Sequence, residues 1–376
     1  MQRPSWEHDP MIGRLIADKF QLRGMLADGG MGRIYLANHL ALNVEICVKT
    51  LHPELRSDAA VVKRFFREAQ AASRVRHPNC VQVIDFGETT DGVTYVAMER
   101  VRGRPLSEIL TSDGPLAPAR AIRMATQICD VLEATHRQGL VHRDLKPSNI
   151  MLEDLPSHRE FVKILDFGVA KFPGDGEDEA RLVASGMVLG TPAYMAPEQA
   201  LAEEVDHRAD IYSLGVILYE MLCGRLPFES ERPEVVVACH ANVPAPPLRE
   251  RRPEVPVAVA DVVDRCLEKQ RELRPSTAIE MRRDLERALS AAEQTERRKV
   301  ERTVRELGTF PRARRGAAPA LTPGFGVPSL SSVMNPSGTG PAAAPMLRCP
   351  ACARQNPVGA KFCMECGAAV RGGPRR

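Results

Sequence analysis

The chain has 376 residues, enough for two or three domains, and its 44% hydrophobic and 26% charged content is typical of a soluble globular protein. A formal net charge of +3 gives no indication of a nucleic-acid partner. The longest apolar stretch, Leu214 to Leu222, is too short to cross a bilayer, and the amino terminus has no apolar signal core, so the sequence predicts no membrane segment.

A glycine-rich turn at Leu26 to Gly32 is the first motif along the chain. A dinucleotide-binding fold enters a helix after such a turn. Here the chain continues as strand, polar turn and strand, the last being Val44 to Leu51. The pattern therefore predicts a β-hairpin flap lying over phosphates, in which Gly29 and Gly32 permit close approach of the backbone.

The strand that follows the flap carries a lysine. Alternation along residues 45–49 puts Cys47 and Lys49 on one face. In the next segment apolar residues recur at helical spacing, and Glu68 falls within that apolar stripe. Because a carboxylate there needs a charged partner to offset its desolvation, we expect Lys49 to pair with Glu68. Cys47, beneath an apolar roof, is expected to pack rather than react.

Residues 139–168 combine several polar groups with a predicted hairpin. Two short apolar runs, Ile150 to Leu152 and Phe161 to Leu165, flank turn residues. In such a hairpin the start of the first run lies opposite the end of the second, so Asn149 would lie beside Asp166. Two oxygen ligands converging in this way suit a hard cation such as Mg²⁺.

Two further polar residues lie just upstream of the hairpin. Asp144 and Lys146, a carboxylate and a cation, are two residues apart on an irregular turn. Together with the predicted metal site they supply a base and a neutralising charge. These are the components needed to transfer a phosphoryl group to a hydroxyl.

The sequence HRDLKPSN at 142–149, followed by DFG at 166–168, resembles the catalytic core of the protein kinase family, in its serine/threonine branch. The resemblance extends over residues 19–290. It implies an α+β, two-lobed kinase fold with a small β-rich N-lobe and a larger helical C-lobe. It also implies an ATP-dependent protein serine/threonine kinase that phosphorylates proteins, itself included, in intracellular signalling.

The resemblance assigns a role to each polar residue of this region. Asp144 would accept or orient the proton of the acceptor hydroxyl, and Lys146 would neutralise the transferring group. Asn149 and Asp166 would hold Mg²⁺ or Mn²⁺. Lys49, positioned by Glu68, would grip the α- and β-phosphates. The residues that would contact ATP are Ala27, Gly29, Gly32, Ile34, Cys47, Lys49, Met98, Glu99, Val101 and Met151.

One of these positions departs from the family pattern. Ala27 stands where the family has the first glycine of its flap. Alanine allows most of the same backbone geometry, so we expect a modest effect on nucleotide affinity. A catalytically weak kinase-like scaffold is the alternative that this departure keeps open.

A polar, glycine-containing segment from Val169 to Met195 lacks hydrophobic periodicity, and a segment of this length inside a compact domain is usually functional. It resembles the kinase activation segment. Ser185 is the candidate phosphosite, because Arg143 could pair with the added charge. The alternative is an ordinary loop serine. By resemblance, Thr191 contacts the catalytic aspartate and favours Ser/Thr acceptors.

Two further positions have structural roles by resemblance. Asp210 is expected to anchor the backbone of the catalytic loop. Arg274 is expected to pair with Glu198, far away in the sequence.

The carboxyl-terminal tail contains two C-x-x-C motifs. Cys349 and Cys352 are separated by ten residues from Cys363 and Cys366, a spacing that resembles a zinc ribbon and matches tetrahedral Zn²⁺. So short a segment needs the metal to fold. Disulfides and a redox motif are the alternatives. The ribbon is expected to dock a protein; with Phe362 as its one aromatic residue, it is poorly suited to stacking nucleic-acid bases, although a ribbon-led nucleic-acid regulator is a second reading.

The remaining cysteines and the composition complete the domain prediction. Six cysteines stand singly in apolar surroundings, which predicts reduced thiols and a cytoplasmic protein. The predicted domains are a loosely ordered extension (1–18), a protein kinase domain (19–290), a charged helix and flexible linker (291–345) and a zinc ribbon (346–370). Partners would be protein substrates and a second kinase domain, as a homodimer for autophosphorylation.

Overall fold

The computed structural model of the protein describes residues 9–156, 158–165, 192–308, 346–349, 352 and 354–357. The chain divides into two compact units, Met1–Phe310 and Pro311–Arg376. Within the described residues, no helix combines the length and the apolar content needed to cross a membrane.

An antiparallel sheet forms the amino-terminal lobe of the first unit. Its described strands are β1 (Leu15–Ile16), β2 (Phe20–Asp28), β3 (Gly32–His39), β4 (Val44–Leu51), β5 (Val83–Glu88) and β6 (Thr94–Glu99). They lie in the order β1-β2-β3-β4-β6-β5. Helix α1 (Ala59–Arg74) contacts the sheet through β5, and it begins at Asp58, whose side chain accepts hydrogen bonds from the amides of Ala60 and Val61.

The two faces of this sheet bury different side chains. Along β4, Ile46 and Val48 are buried in one apolar cluster, whereas Cys47 packs with a second cluster that includes Phe65 of α1. Lys49 lines a cavity together with Phe65. The prediction that Cys47 and Lys49 share a face is confirmed, because side chains alternate along a strand.

Helices make up most of the larger lobe. Those in the described residues are α2 (Leu106–Asp113), α3 (Pro118–His136), α4 (Pro197–Ala200), α5 (Arg208–Cys223), α6 (Pro233–Asn242), α7 (Leu248–Arg251), α8 (Val257–Cys266) and α9 (Ala278–Gly308). Every residue of α5 from Ala209 to Tyr219 is buried, as expected for a helix that is apolar all round. The predicted α+β architecture of a β-rich and a helical lobe is confirmed.

A small sheet lies at the junction of the two lobes. It contains β7 (Gly103–Pro105), β8 (Ile150–Leu155) and β9 (His158–Ile164), in that order. Ile150 pairs with Ile164, so the start of β8 lies opposite the end of β9. The predicted hairpin is confirmed.

Residues 9–18, the described part of the predicted amino-terminal extension, contact the sheet. Ile16 in β1 is fully buried and pairs with Phe20. Nearby, the carboxylate of Asp9 accepts hydrogen bonds from the hydroxyl of Tyr35 at 2.9 Å and from Arg33 at 3.2 Å. Residues 9–18 thus cover apolar side chains of β2 and β3 that would otherwise face water.

The last helix and the tail agree with the sequence pattern as far as they are described. Helix α9 continues through the charge-dense segment to Gly308, as predicted. In the second unit, β10 (Met346–Arg348) pairs antiparallel with β11 (Gln355–Pro357), and the amide of Cys349 donates to the carbonyl of Arg354 at 2.8 Å.

Candidate active site

The loop before β8 brings three polar side chains together. The amine of Lys146 lies 2.8 Å from Oδ2 of Asp144. Asn149 Nδ2 donates to the backbone carbonyl of Asp144 at 2.9 Å and approaches its carboxylate at 3.3 Å. A carboxylate is thus held between an ammonium group and an amide, partly open to solvent.

A buried carboxylate on α5 holds this loop in place. Asp210 is fully buried and accepts hydrogen bonds from the backbone amides of His142 at 2.8 Å and Arg143 at 2.9 Å. Its Oδ2 also lies 2.7 Å from Nε2 of His136. Burial alone would raise the pKa of Asp210, but the hydrogen bonds from His136 and the His142 amide outweigh it and lower the pKa below the ordinary value. Asp210 therefore anchors the loop as an ionised acceptor.

The backbone at Arg143 adopts an uncommon conformation. Its φ of 64° lies in the left-handed region, which a residue with a Cβ rarely occupies. Asp210 fixes the Arg143 amide, and Gln199 Nε2 donates to its carbonyl at 2.9 Å. Hydrogen bonds on both sides of Arg143 stabilise this backbone conformation and thereby fix the position of the next residue, Asp144.

Lys49 and Glu68 line one cavity between the sheet and α1. Met98, on the neighbouring strand, and Leu165, just past β9, line the same cavity. Its volume of about 30 Å³ accommodates a water-sized molecule and not a base. Glu68 also lies 3.6 Å from Arg64, one turn earlier on the helix. The structure thus brings Lys49 and Glu68 to the same cavity, and the ion pair between them stays a prediction.

The hairpin leads directly to the predicted metal position. The amide of Leu165 donates to the carbonyl of Asn149 at 2.9 Å, so the last described residue of the hairpin lies next to Asn149. The second predicted ligand, Asp166, lies outside the described residues.

The glycine-rich turn forms the predicted hairpin between β2 and β3. The amide of Gly29 donates to the carbonyl of Gly32 at 3.0 Å, and Ala27 pairs with Ile34. A Cβ on Gly32 would lie 1.9 Å from the carbonyl oxygen of Thr50. The structure therefore requires glycine at 32 for the contact between β3 and β4, a reason that the sequence did not reveal.

The segment between the lobes places the other predicted nucleotide-contacting residues. Met98 is buried on β6 and pairs with Cys47, whose pKa is raised by burial. Val101 packs partly buried against the apolar cluster around Phe65. On the other side, Met151 pairs with Pro105 of β7.

Glu99 uses its side chain in a way that the sequence analysis missed. Its carboxylate accepts the amide of Gln82 at 2.9 Å and lies 2.7 Å from the amine of Lys163 on β9. The segment between the lobes is therefore tied to the strand that leads to Asp166. The sequence signal that could have revealed this ion pair is Lys163 itself, a lysine within an apolar run, which the structure shows to be buried.

The end of the activation-like segment is held by contacts to the helical lobe. His240 Nε2 lies 3.0 Å from the carbonyl of Ala193, and the hydroxyl of Ser213 donates to the carbonyl of Tyr194 at 2.8 Å. The Tyr194 hydroxyl donates to Glu220 at 2.7 Å. Ser185 and Thr191 lie outside the described residues.

The predicted Arg274–Glu198 pair is confirmed. The two terminal guanidinium nitrogens of Arg274 each donate to one carboxylate oxygen of Glu198 at 2.8 Å, and both side chains are buried. This bidentate ion pair joins α4 to the turn before α9.

In the tail, the structure describes half of the predicted zinc ligands. Cys349 is buried just after β10, and Cys352 is exposed in the turn before β11. Cys363 and Cys366 lie outside the described residues.

Comparison with protein families agrees with this fold and loop. The family model described as "Protein kinase domain" matches residues 20–285, and the chain therefore belongs to the protein kinase family. The model described as "zinc-ribbon domain" matches residues 348–370.

Individual relatives are bacterial serine/threonine-protein kinases. The chain is 38% identical to pkn3 of Myxococcus xanthus over 317 residues, 84% of this chain and 56% of that protein. It is 41% identical to PknB of Mycolicibacterium smegmatis over 274 residues, 72% of this chain and 43% of that protein. The crystal structure of the PknI kinase domain of Mycobacterium tuberculosis superimposes with a TM-score of 0.58 at 25% identity, covering 73% of this chain and 98% of that domain. The chain spans about half or less of the length of these curated relatives.

Proposed function

We propose that this protein is an ATP-dependent serine/threonine kinase that phosphorylates proteins, itself included, in intracellular signalling. The observation that carries the proposal is the loop in which Asp144 lies between Lys146 and Asn149 while Asp210 fixes the backbone. Such a loop offers a carboxylate to an acceptor hydroxyl and a cation to a transferring phosphoryl group. The bacterial serine/threonine kinases that the chain resembles support the same reaction.

The chemistry assigned to each side chain follows from its surroundings. Asp144 orients the acceptor hydroxyl and takes its proton as the oxygen bonds to the γ-phosphorus of ATP, while the bond from that phosphorus to the β,γ-bridging oxygen breaks and ADP leaves. Lys146, next to that carboxylate, neutralises charge on the transferring group. Lys49, positioned by Glu68, holds the α- and β-phosphates. Alignment and charge neutralisation account for most of the rate enhancement in sites of this type.

The donor set near β8 fits a magnesium ion. Asn149 directs its amide nitrogen to Asp144, which leaves the amide oxygen Oδ1 as the atom able to ligate a cation. We propose Asn149 and Asp166 as the ligands of Mg²⁺ or Mn²⁺. Held by these residues, the ion would offset the negative charge of the phosphates.

The proposed adenine and flap contacts extend over both lobes. Cys47, Met98 and Val101 occupy one strand pair and the segment that follows it, and Met151 lies on β8. The backbone of Glu99 to Val101 would meet the adenine edge. The proposed kinase domain is residues 19–290, with the ordered β1 as an addition at its amino-terminal edge.

The experiment that tests the proposal compares the wild-type chain with Asp144→Asn. Phosphate transfer from ATP to casein and to the chain itself, measured with magnesium present, should fall at least about a hundredfold, because general-base assistance contributes this much or more. Equal turnover by the two proteins contradicts the proposal. No turnover by either protein favours the kinase-like scaffold instead. A phosphoproteome comparison of cells that express the wild-type chain with cells that express Asp144→Asn identifies the substrates.

We further propose that Cys349, Cys352, Cys363 and Cys366 bind one Zn²⁺ and that the resulting ribbon docks a protein partner. The zinc-ribbon family match and the antiparallel pairing of β10 with β11 around the first C-x-x-C support this. One equivalent of zinc per chain, measured by mass spectrometry of the metal, is expected. Replacing Cys349 by Ser should remove it, while Cys223→Ser should not. An unchanged zinc content in Cys349→Ser contradicts the proposal.

We also place the protein in the cytoplasm and expect a second copy as the partner for autophosphorylation. The six cysteines outside the tail are free thiols, and burial raises the pKa of Cys80 and Cys266 to about 12, which keeps them protonated and unreactive. We propose Ser185 as a site of phosphorylation, with Arg143, adjacent to Asp144, as the partner for the added phosphate.

A further inference from the structure

A histidine just beyond β4 holds the tip of the glycine-rich flap. Nε2 of His52 lies 2.7 Å from the carbonyl oxygen of Gly29. The backbone amide of His52 donates to the carbonyl of Met31 at 3.0 Å. The histidine side chain is largely buried, with 18% of its surface exposed. A single residue therefore binds two carbonyl groups of the three-residue turn that joins β2 to β3.

Holding these carbonyls also fixes the direction of two amides. In a trans peptide the carbonyl oxygen and the following N–H point to opposite sides, and the described backbone has no cis peptide. Gly29 shares a peptide with the amide of Gly30, and Met31 shares one with the amide of Gly32. The N–H groups of Gly30 and Gly32 consequently point away from His52.

Neighbouring contacts hold the histidine and the turn in the same arrangement. Oδ1 of Asp28 lies 3.3 Å from Nε2 of His52, and Oδ2 accepts a hydrogen bond from Arg33 at 3.1 Å. At the far side of the turn, Arg64 of α1 contacts the sulfur of Met31 at 3.4 Å. The flap is thus fixed to β4 and to the helix that carries Glu68.

We propose that His52 is a positioning residue for the nucleotide phosphates, an inference that rests on the proposed function. By holding the carbonyls of Gly29 and Met31, it aims the amides of Gly30 and Gly32 at phosphate oxygens. Amide donors that are already oriented bind an anion without the entropic cost of ordering the turn. His52 itself touches no reacting atom.

The test separates phosphate binding from binding of the base. Dissociation constants for AMP-PNP with magnesium and for adenosine are measured by calorimetry on the full chain, for wild type, His52→Ala and His52→Gln. His52→Ala should weaken AMP-PNP binding about tenfold, the equivalent of one well-formed hydrogen bond. Adenosine, which has no phosphates, should bind unchanged. The glutamine amide can donate to Gly29 and should recover at least half of the loss.

The matched control is His207→Ala. His207 also bonds a backbone carbonyl through its ring, that of Ser276 at 2.8 Å, but it lies in the helical lobe. This variant should bind both ligands as wild type does. A near-native unfolding temperature of His52→Gln verifies that the flap variants fold.

The outcomes also separate this inference from the proposed function. Equal weakening of AMP-PNP and adenosine, or no weakening of either, overturns the role of His52. If wild type binds AMP-PNP and shows the selective loss but transfers no phosphate, the positioning role stands and the kinase activity fails. If wild type does not bind AMP-PNP at all, both proposals fail.

Discussion

At Gly32 the backbone of β3 passes against β4 so closely that a single methyl group has no room. The nearest atom to a Cβ would be the carbonyl oxygen of Thr50 at 1.9 Å, a rigid backbone atom. The glycine was predicted from the sequence for its approach to phosphates. The structure adds a requirement of sheet packing that holds with or without a nucleotide.

Gly32→Ala should therefore destabilise the protein by about 2 kcal/mol, since a methyl group forced into a packed region displaces backbone. The control is Gly30→Ala, two residues away, where a Cβ would meet nothing within 4 Å. Thermal unfolding of both variants measures the difference. A Gly32→Ala variant as stable as Gly30→Ala would contradict the close packing seen at Thr50.

His240 gives the stability of the protein a dependence on pH. Burial lowers its pKa to about 4, and the neighbouring Lys269 adds to the shift. The His240 imidazole takes up a proton near pH 6.5 in the unfolded chain but only near pH 4 in the folded protein. The free energy of unfolding is therefore highest above pH 6.5 and decreases as the pH falls from 6.5 to about 4. Between pH 7 and pH 5 the loss should be about 2 kcal/mol.

Urea unfolding of wild type and His240→Gln at both pH values tests this dependence. Glutamine can still donate to the carbonyl of Ala193 but does not titrate, so its stability should change less on acidification. Tyr212, which contacts the other ring nitrogen at 2.9 Å, stays protonated throughout and cannot produce the effect. Parallel losses in the two proteins would remove His240 as the source.

At the scale of elements, α4 and the turn before α9 are joined by one buried ion pair. The guanidinium of Arg274 also donates to the carbonyls of Glu268 and Lys269 and lies over the ring of Tyr212 at 5.0 Å. Hydrogen-bond acceptors and an aromatic ring thus surround the guanidinium group. A pair of this kind is costly to break from one side, because the remaining charge stays buried without a partner.

Arg274→Met should accordingly lower the free energy of unfolding by about 3 kcal/mol or more. Arg232→Met is the matched control, since Arg232 pairs with Glu234 at 2.7 Å but both side chains are mostly exposed. That change should cost less than about 1 kcal/mol. Equal midpoints in thermal unfolding of the two variants would contradict the role given to the buried pair.

Over the whole molecule, the proposed reaction needs residues from both lobes at one cleft. Lys49 comes from β4, whereas Asp144 and Asn149 come from the loop before β8. The amine of Lys163 lies 2.7 Å from the carboxylate of Glu99, and this ion pair joins the two lobes. The lobes therefore carry complementary halves of one proposed site.

Lys49→Met should abolish phosphate transfer while the protein unfolds at nearly the wild-type temperature. A methionine keeps most of the apolar stem of lysine but cannot neutralise a phosphate. Lys63→Met, at an exposed position of α1, should leave transfer unchanged. Turnover retained by Lys49→Met would remove the lysine from the mechanism.

The sequence by itself determined the features that depend on local pattern and order along the chain. Alternation put Cys47 and Lys49 on one face, two short apolar runs gave the hairpin, and helical spacing placed Glu68 toward the sheet. The motif HRDLKPSN identified the loop at 142–149 and with it the family. These features can be recognised in the sequence because they depend on periodicity and on short spacings between residues.

Only the tertiary structure decided which distant groups share a partner. Three contacts join residues that lie far apart in the sequence. They are the contact of His136 with Asp210, the ion pair of Glu99 with Lys163 and the contact of His52 with the carbonyl of Gly29. The burial of Ile16 likewise depends on side chains contributed by β2 and β3. Such contacts depend on how close the elements pack, and a linear pattern records no distance between elements.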